Sequence, residues 1–301
     1  TTPEGPVEED QASGLIKATD LSLNPELGKN RKDTLIVGTP DTKGVFSPLF
    51  METAYDYYLN YAIFDSFLEV KADGSYVNSL AEKIDISEDG LKYTYHLKPG
   101  VTFSDGSPMK ASDYLFTMKL FLDKSYDGES DPLSYNIVGA KEYNEGTSSD
   151  ISGIKVIDEK TVEVSLTEFS ALSPVELGNV YILPESYYGK GYKQGNLESV
   201  KALNTKPLGS GQYKVTSYKA GQEVVLEANY NYFRGKPIIK NVIFKTTTDS
   251  TNVAMLQSAE TDMEINIAVS EDNVEELKAI GFLDLNILPN NGYGYIGFNH
   301  K

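Results

Sequence analysis

The texture of the chain changes along its length, and that change limits the fold more than any other feature. From Val242 onward strand and helix periods alternate: Val242-Ile243-Phe244 reads as strand and about Ser250 to Ala259 as helix. Met263-Glu264-Ile265 is again strand-like, Asn273 to Ile280 helical, and Leu283 to Leu288 strand-like. Alternation of this kind specifies an open α/β sheet flanked by helices. The middle of the chain is built differently. Ile84-Asp85-Ile86 and Tyr93 to Leu97 alternate around the turn Ser87-Glu88-Asp89-Gly90, and Ile154 to Ile157 pairs with Val162 to Leu166 around Asp158-Glu159-Lys160. An open mixed sheet interrupted by an inserted, mainly antiparallel α+β domain accommodates both textures.

Further segments fill in this plan. Residues 1–33 carry Pro3, Pro6 and the acidic run Glu8-Glu9-Asp10 with little periodicity, and read as a flexible leader on which Leu15-Ile16 and Leu21-Leu23 are possible docking points. Thr34 to Gly38 reads as a buried strand. A helical period follows, with Tyr57, Tyr61, Phe64 and Leu68 on one face. A second helix carries Tyr114, Leu115, Met118, Phe121 and Leu122, and a long polar loop runs from Lys124 to about Asp150. A last hairpin joins Tyr213–Tyr218 to Glu223–Leu226. The expected division is a discontinuous lobe of residues 34–65 plus 185–301, with residues 66–184 inserted.

Composition narrows the function. The net charge of −17 repels phosphate backbones and argues against nucleic acid as a partner. There is no cysteine, which removes disulfides, thiolate metal sites and cysteine nucleophiles, and suits an exported protein. No run approaches the roughly 18 apolar residues of a membrane span. The 21 tyrosines suit surfaces that grip ligands, since the side chain is large, stiff and amphipathic.

Catalytic and cofactor motifs fare poorly. Of the two histidines, His96 lies on the polar side of an alternating strand and His300 is penultimate, so neither makes a good general base or metal ligand. Gly292-Tyr293-Gly294-Tyr295-Ile296-Gly297 matches GxGxxG in form, but a strand-like pattern continues where a nucleotide site needs a helix. Asp123 to Gly128 opens like a calcium loop, yet its twelfth position is Ser134 and not the bidentate glutamate. The expectation is a binding protein with no catalytic residues, no metal and no cofactor.

Five segments together resemble the peptide- and nickel-type solute-binding proteins of ABC importers, the family 5 group. They are Ile63 to Leu68 followed by Asp73-Gly74; Leu80-Ala81-Glu82 leading through Ser87 to Gly106, with Asp113 to Phe116; Pro207-Leu208-Gly209-Ser210-Gly211-Gln212-Tyr213; Leu226 to Phe233; and Ala254 to Met263. Ser210 and Gln212 depart from the family's Gly-Thr-Gly-Pro-Tyr type run. The resemblance spans about residues 34–299. It implies a lobe of the type II periplasmic-binding-protein fold and, in the whole protein, a two-lobe clamp around a peptide or other small solute. It also implies a second lobe after the Tyr295-to-Asn299 strand, absent from this chain, with the acidic residue that holds a peptide's α-amino group.

Site residues follow from the resemblance. Met51, Glu52, Thr53, Ala54 and Tyr55 correspond to a stretch whose backbone pairs with extended peptide. Tyr293 and Tyr295 correspond to aromatic hinge and cleft residues; Asn179 and Tyr181 lie on the segment returning from the insert, and Tyr135 on a loop over the cleft. The implied partners are an oligopeptide and a membrane permease, with the protein a monomer in the periplasm or on the extracellular face, held there by a lipid anchor preceding Thr1. Nickel chelates or oligosaccharides are the alternative ligands within the family. A secreted polysaccharide hydrolase or a surface adhesin are the alternatives outside it.

Overall fold

A computed structural model describes residues 14–71, 73–265 and 267–288. These divide into two compact units: one holds residues 33–35 and 39–246, the other residues up to 32, 36–38 and those from 247 onward.

In the larger unit, an antiparallel four-stranded sheet runs in the order Ala81–Ile86, Lys92–Leu97, Thr161–Ser165, Ile154–Val156. Alternation along Lys92–Leu97 buries Tyr93, Tyr95 and Leu97 and leaves His96 on the other face, 2.9 Å from Asp85. The helix Ala111–Phe121 packs on this sheet. It buries Tyr114, Met118 and Phe121, and Asp113 closes its first turn by accepting from the Lys110 N–H at 2.8 Å. Phe67 stacks on Tyr95 with centroids 4.7 Å apart and lies 5.2 Å from Tyr114, so a sandwich of rings fills the centre of this core.

The same unit contains an antiparallel arrangement of Asn241–Thr246, Glu223–Ala228 and Tyr213–Lys219. The helix Ala54–Ile63 packs against Tyr213–Lys219. Its periodicity is the expected one, but its phase is shifted. Asp56, Leu59, Asn60 and Ile63 are buried, whereas Tyr57, Tyr58 and Tyr61 are exposed, and Leu68 belongs to the strand Leu68–Val70. Tyrosine tolerates this because its ring and hydroxyl serve a water-facing wall as well as a core.

The run Pro207–Tyr213 meets the end of that helix backbone to backbone. Gly211 N–H donates to the Ile63 carbonyl at 2.8 Å, and a Cβ on Gly209 would stand 2.1 Å from the same oxygen. Asn229 Nδ2 donates to the Gly211 carbonyl at 2.9 Å and fixes the run from the other side. Ile182 N–H donates to the Asp65 carbonyl at 3.1 Å, and Leu208 N–H to the Tyr188 hydroxyl at 3.0 Å. The bond from Ile182 to Asp65 joins the expected insert to the expected lobe, and residues 39–246 fall within one unit.

The expected loop of residues 124–150 carries structure of its own. The 3₁₀ turn Pro132–Tyr135 begins at Asp131, whose carboxylate accepts from Leu133 N–H at 3.1 Å, and the short helix Ala140–Asn144 buries Ala140 and Tyr143. Asp123, at the head of the calcium-like run, is instead held within the protein. It accepts from Tyr192 at 2.8 Å, Gly195 N–H at 2.7 Å and Ser125 N–H at 2.8 Å.

In the smaller unit, Met263–Glu264 pairs in parallel with Val37–Gly38. Residues 14–32 are not a tether here. Leu15–Ile16 pairs with Leu285–Asn286, Thr19 and Asp20 N–H both donate to the Gly281 carbonyl, and Arg31 is ion-paired with Asp262. Asp262 also accepts from Ile36 N–H at 2.7 Å, so one carboxylate joins the early segment to the strand. Residues 1–13 and 289–301, the latter including Tyr293, Tyr295 and the GxGxxG-like run, lie outside the described residues.

Candidate functional site

Two neighbouring concavities of the larger unit share Tyr57, Asn179 and Tyr181 as a common wall. The first, of about 350 Å³, is of the size that takes small ligands. Met51 and Leu49 line it from the segment before the Ala54–Ile63 helix. Phe121 reaches it from the end of its helix, and Tyr126 and Tyr135 from the loop beyond. The rings form a chain: Phe50 lies 5.9 Å from Tyr126, and Phe121 lies 5.0 Å from Tyr126 and 5.6 Å from Tyr135, both edge-on. Burial pushes the Tyr135 phenol up to about 12, with the Glu176 charge adding to the effect, so the group remains a neutral donor. Glu129 and Glu176 supply acidic positions on the lining of this apolar space.

Local sequence explains how Tyr135 is held. Pro132 presets the turn, Asn136 takes the left-handed conformation at φ 55°, and its carbonyl accepts from Thr167 N–H at 2.7 Å. Met51 is positioned by its N–H bond to the Ser47 carbonyl and by Asn60 Nδ2, 3.4 Å from its sulfur.

The second concavity is smaller, about 140 Å³, and more polar. Asp65 and Glu69 face it, with Arg234 opposite. Arg234 is held at both Nη atoms: Nη1 donates to Glu69 Oε2 at 2.7 Å, Nη2 to Ser79 Oγ at 2.6 Å, and its guanidinium lies 5.3 Å from the Phe233 ring. Lys71 takes the other Glu69 oxygen at 2.6 Å, and the bonds from Lys71 and Arg234 hold that carboxyl below its ordinary range. Among the described residues, Asp65 receives only the hydroxyls of Ser210 and Tyr232, each at 3.4 Å. Burial therefore pushes its carboxyl up to about 6, against the opposing pull of Arg234 and the two hydroxyls. Tyr181 is pushed up as well, first by burial and then by Tyr57 beside it.

The expected site residues separate into three groups. Met51, Tyr135, Asn179 and Tyr181 come together on one concavity. Glu52, Thr53, Ala54 and Tyr55 line neither concavity. Thr53 instead caps the helix, accepting from Asp56 N–H at 3.2 Å and donating to Asp56 Oδ2 at 2.6 Å, while Glu52 and Ala54 are exposed. Tyr293 and Tyr295 lie outside the described residues. Tyr126, Asp65 and Arg234 had no place in the sequence reading. Asp65 did leave a trace there, as an acid inside the apolar run Ile63-Phe64-Asp65-Ser66-Phe67-Leu68. Among the described residues no cluster of three or more potential ligands is placed to hold a metal ion, and no helix is long and apolar enough to cross a membrane.

Comparison with solved structures gives the class. The chain is similar to the oligopeptide-binding protein AppA of Bacillus subtilis in complex with a nonapeptide, at TM-score 0.66 and 26% identity, covering 76% of this chain and 43% of that one. It is also similar to the ABC transporter substrate-binding protein CtaP of Listeria monocytogenes, at TM-score 0.68 and 26% identity over 82% and 47% of the two chains. Haemophilus influenzae OppA shares the fold at TM-score 0.70 with 19% identity. The fold is therefore that of type II periplasmic binding proteins. Residues 75–301 match the model of the bacterial extracellular solute-binding proteins, family 5 middle, and the chain belongs to that family, one of binding proteins and not of enzymes. By sequence it is 28% identical over 291 residues to AppA of B. subtilis, covering 95% of this chain and 50% of that protein. It is 28% identical to the dipeptide-binding protein of Escherichia coli over 74% of this chain and 42% of that protein. The chain thus spans about half the length of the curated relatives it matches.

Proposed function

We propose that this protein captures peptides outside the cytoplasm and hands them to the permease of an ABC importer. The observation that carries this reading is the convergence of Met51, Tyr135, Asn179 and Tyr181 on one aromatic concavity of about 350 Å³, in a chain of this family. Rigid tyrosine walls grip apolar side chains at low entropic cost, and the hydroxyls and the Asn179 amide supply a few orienting hydrogen bonds. Glu52 and Ala54 are exposed residues at the head of the helix, and backbone pairing with extended peptide there would not read its side chains, which suits broad selectivity. In this reading residues 34–301 form one jaw of a clamp. A second jaw closes over the ligand and receives its amino terminus. The protein acts as a monomer, lipid-anchored or free in the periplasm.

Calorimetric titration with defined peptides tests the reading. The 301-residue chain binds them with a Kd weaker than about 1 µM, because one jaw buries one side of the ligand. The Tyr135→Ala change weakens that binding. Tight binding of nickel chelates or oligosaccharides with none of peptides moves the protein to another ligand class of the same family.

A further inference from the structure

We propose that the tyrosine-walled pocket around Asp65 is a subsite for a cationic side chain of the captured peptide, a lysine ammonium or an arginine guanidinium. This rests on the peptide-capture reading above.

Size comes first. A pocket of about 140 Å³ holds the equivalent of roughly four or five waters at about 30 Å³ each, the scale of a side-chain head group and not of a whole residue. Charge comes next. Glu69 is already paired with Lys71 and Arg234, and Arg234 is held by Glu69 and Ser79. An anionic ligand would meet the like charges of Asp65 and Glu69, with Arg234 already bound to one of them. A cation meets no such competition. Among the described residues no ammonium or guanidinium lies within 4 Å of Asp65, and its oxygens hold only two hydroxyls at 3.4 Å. A carboxylate has room for about four donors, so acceptor capacity is spare.

The walls suit the same guest. Tyr57, Tyr61 and Tyr181 present rings that attract a desolvated cation through their quadrupoles, and their hydroxyls can accept hydrogen bonds. Access is open, since Tyr57 is 41% and Tyr61 50% exposed. Tyr57, Asn179 and Tyr181 also face the larger apolar concavity, so a peptide lying there can send one side chain past them. The upward displacement of the Asp65 carboxyl agrees: burial has removed water from the group, and the pull of Arg234 and the two hydroxyls offsets only part of that loss.

The experiment uses alanine pentapeptides with a single lysine walked through each position, and a matched set carrying norleucine, titrated at pH 7.5 into the wild-type chain and Asp65→Asn. At one position lysine binds at least about tenfold tighter than norleucine. Asp65→Asn brings the ratio of lysine to norleucine affinity at that position to about one, with the far-UV circular dichroism unchanged. Equal binding of the two sets, or a lysine preference that survives Asp65→Asn, overturns the subsite and leaves peptide capture standing. Failure of both sets to bind the wild type overturns the capture reading and the subsite with it.

Discussion

Replacing Gly209 by alanine tests the backbone contact between the glycine run and the helix end that line the smaller concavity. The added methyl would stand 2.1 Å from the Ile63 carbonyl oxygen and 2.7 Å from Phe64 Cδ1, where ordinary contact begins near 3.4 Å. The run and the helix end must therefore separate by roughly 1.3 Å. Neither side yields easily. The obstacle is a main-chain carbonyl, and Asn229 holds the glycine run from behind through the Gly211 carbonyl. Overpacking of this kind costs about 1–3 kcal/mol. The separation also opens the 2.8 Å bond from Gly211 N–H to Ile63, and a buried polar group left unpaired costs about 1–3 kcal/mol more. A loss of roughly 2–6 kcal/mol lowers Tm on the order of 5–15 °C in a protein of this size. Thermal melts followed by tyrosine near-ultraviolet circular dichroism measure it, the chain having no tryptophan. Peptide affinity falls in parallel, because Phe64 and Asp65 move with the helix end. A Gly209→Ala protein that melts within about 2 °C of wild type refutes the steric argument.

Four other outcomes follow from the same structure. Phe67→Ala removes the central ring stacked on Tyr95 and lowers stability by about 3–5 kcal/mol in urea unfolding, whereas an effect below about 1 kcal/mol means the core closes over the gap. Thr53→Ala strips the cap of the Ala54–Ile63 helix and one partner of buried Asp56, and costs about 1–2 kcal/mol by the same measurement. For Asp65 the folded protein holds the proton more tightly than the unfolded chain. Its stabilising contribution is complete below about pH 4 and is lost as the pH rises through about 6. Asp65→Asn therefore gains stability relative to wild type between pH 4 and pH 7, by at most about 3 kcal/mol; a stability difference constant with pH contradicts this. Finally, Asp262→Ala removes the ion pair of Arg31 and the partner of the Ile36 N–H, and faster hydrogen exchange at Ile36 and Val37 reports the loosened strand.

Local periods were legible without coordinates. The alternation Tyr93-Thr94-Tyr95-His96-Leu97 specified a strand with one buried face, and the turn residues on either side specified its antiparallel partner. The spacing of aromatic residues from Tyr114 to Phe121 specified a helix with one buried stripe. The need for Gly209 and Gly211 could be read as a motif but not explained, because the atoms that forbid a side chain there belong to Ile63 and Ala62. The phase of the Ala54–Ile63 helix was misread, since tyrosine hydropathy does not tell a core position from a pocket wall. Leu15-Ile16 could be named as a docking point of the early segment, but not its partner, because the partners of residues 14–32 lie beyond residue 258 and no local pattern announces them.

The larger concavity was visible in part, through the residues that the family resemblance carried to Met51, Tyr135, Asn179 and Tyr181. The pocket of Asp65 was not. Its charges come from a helix end, a short strand and a loop, with Glu69 and Arg234 separated by 165 positions. Sequence by itself determined the strongly periodic strands and helices, because side-chain period and turn chemistry are local properties. Tertiary structure alone decided which acid is left without a counter-ion, because pairing and desolvation depend on distances between residues remote along the chain.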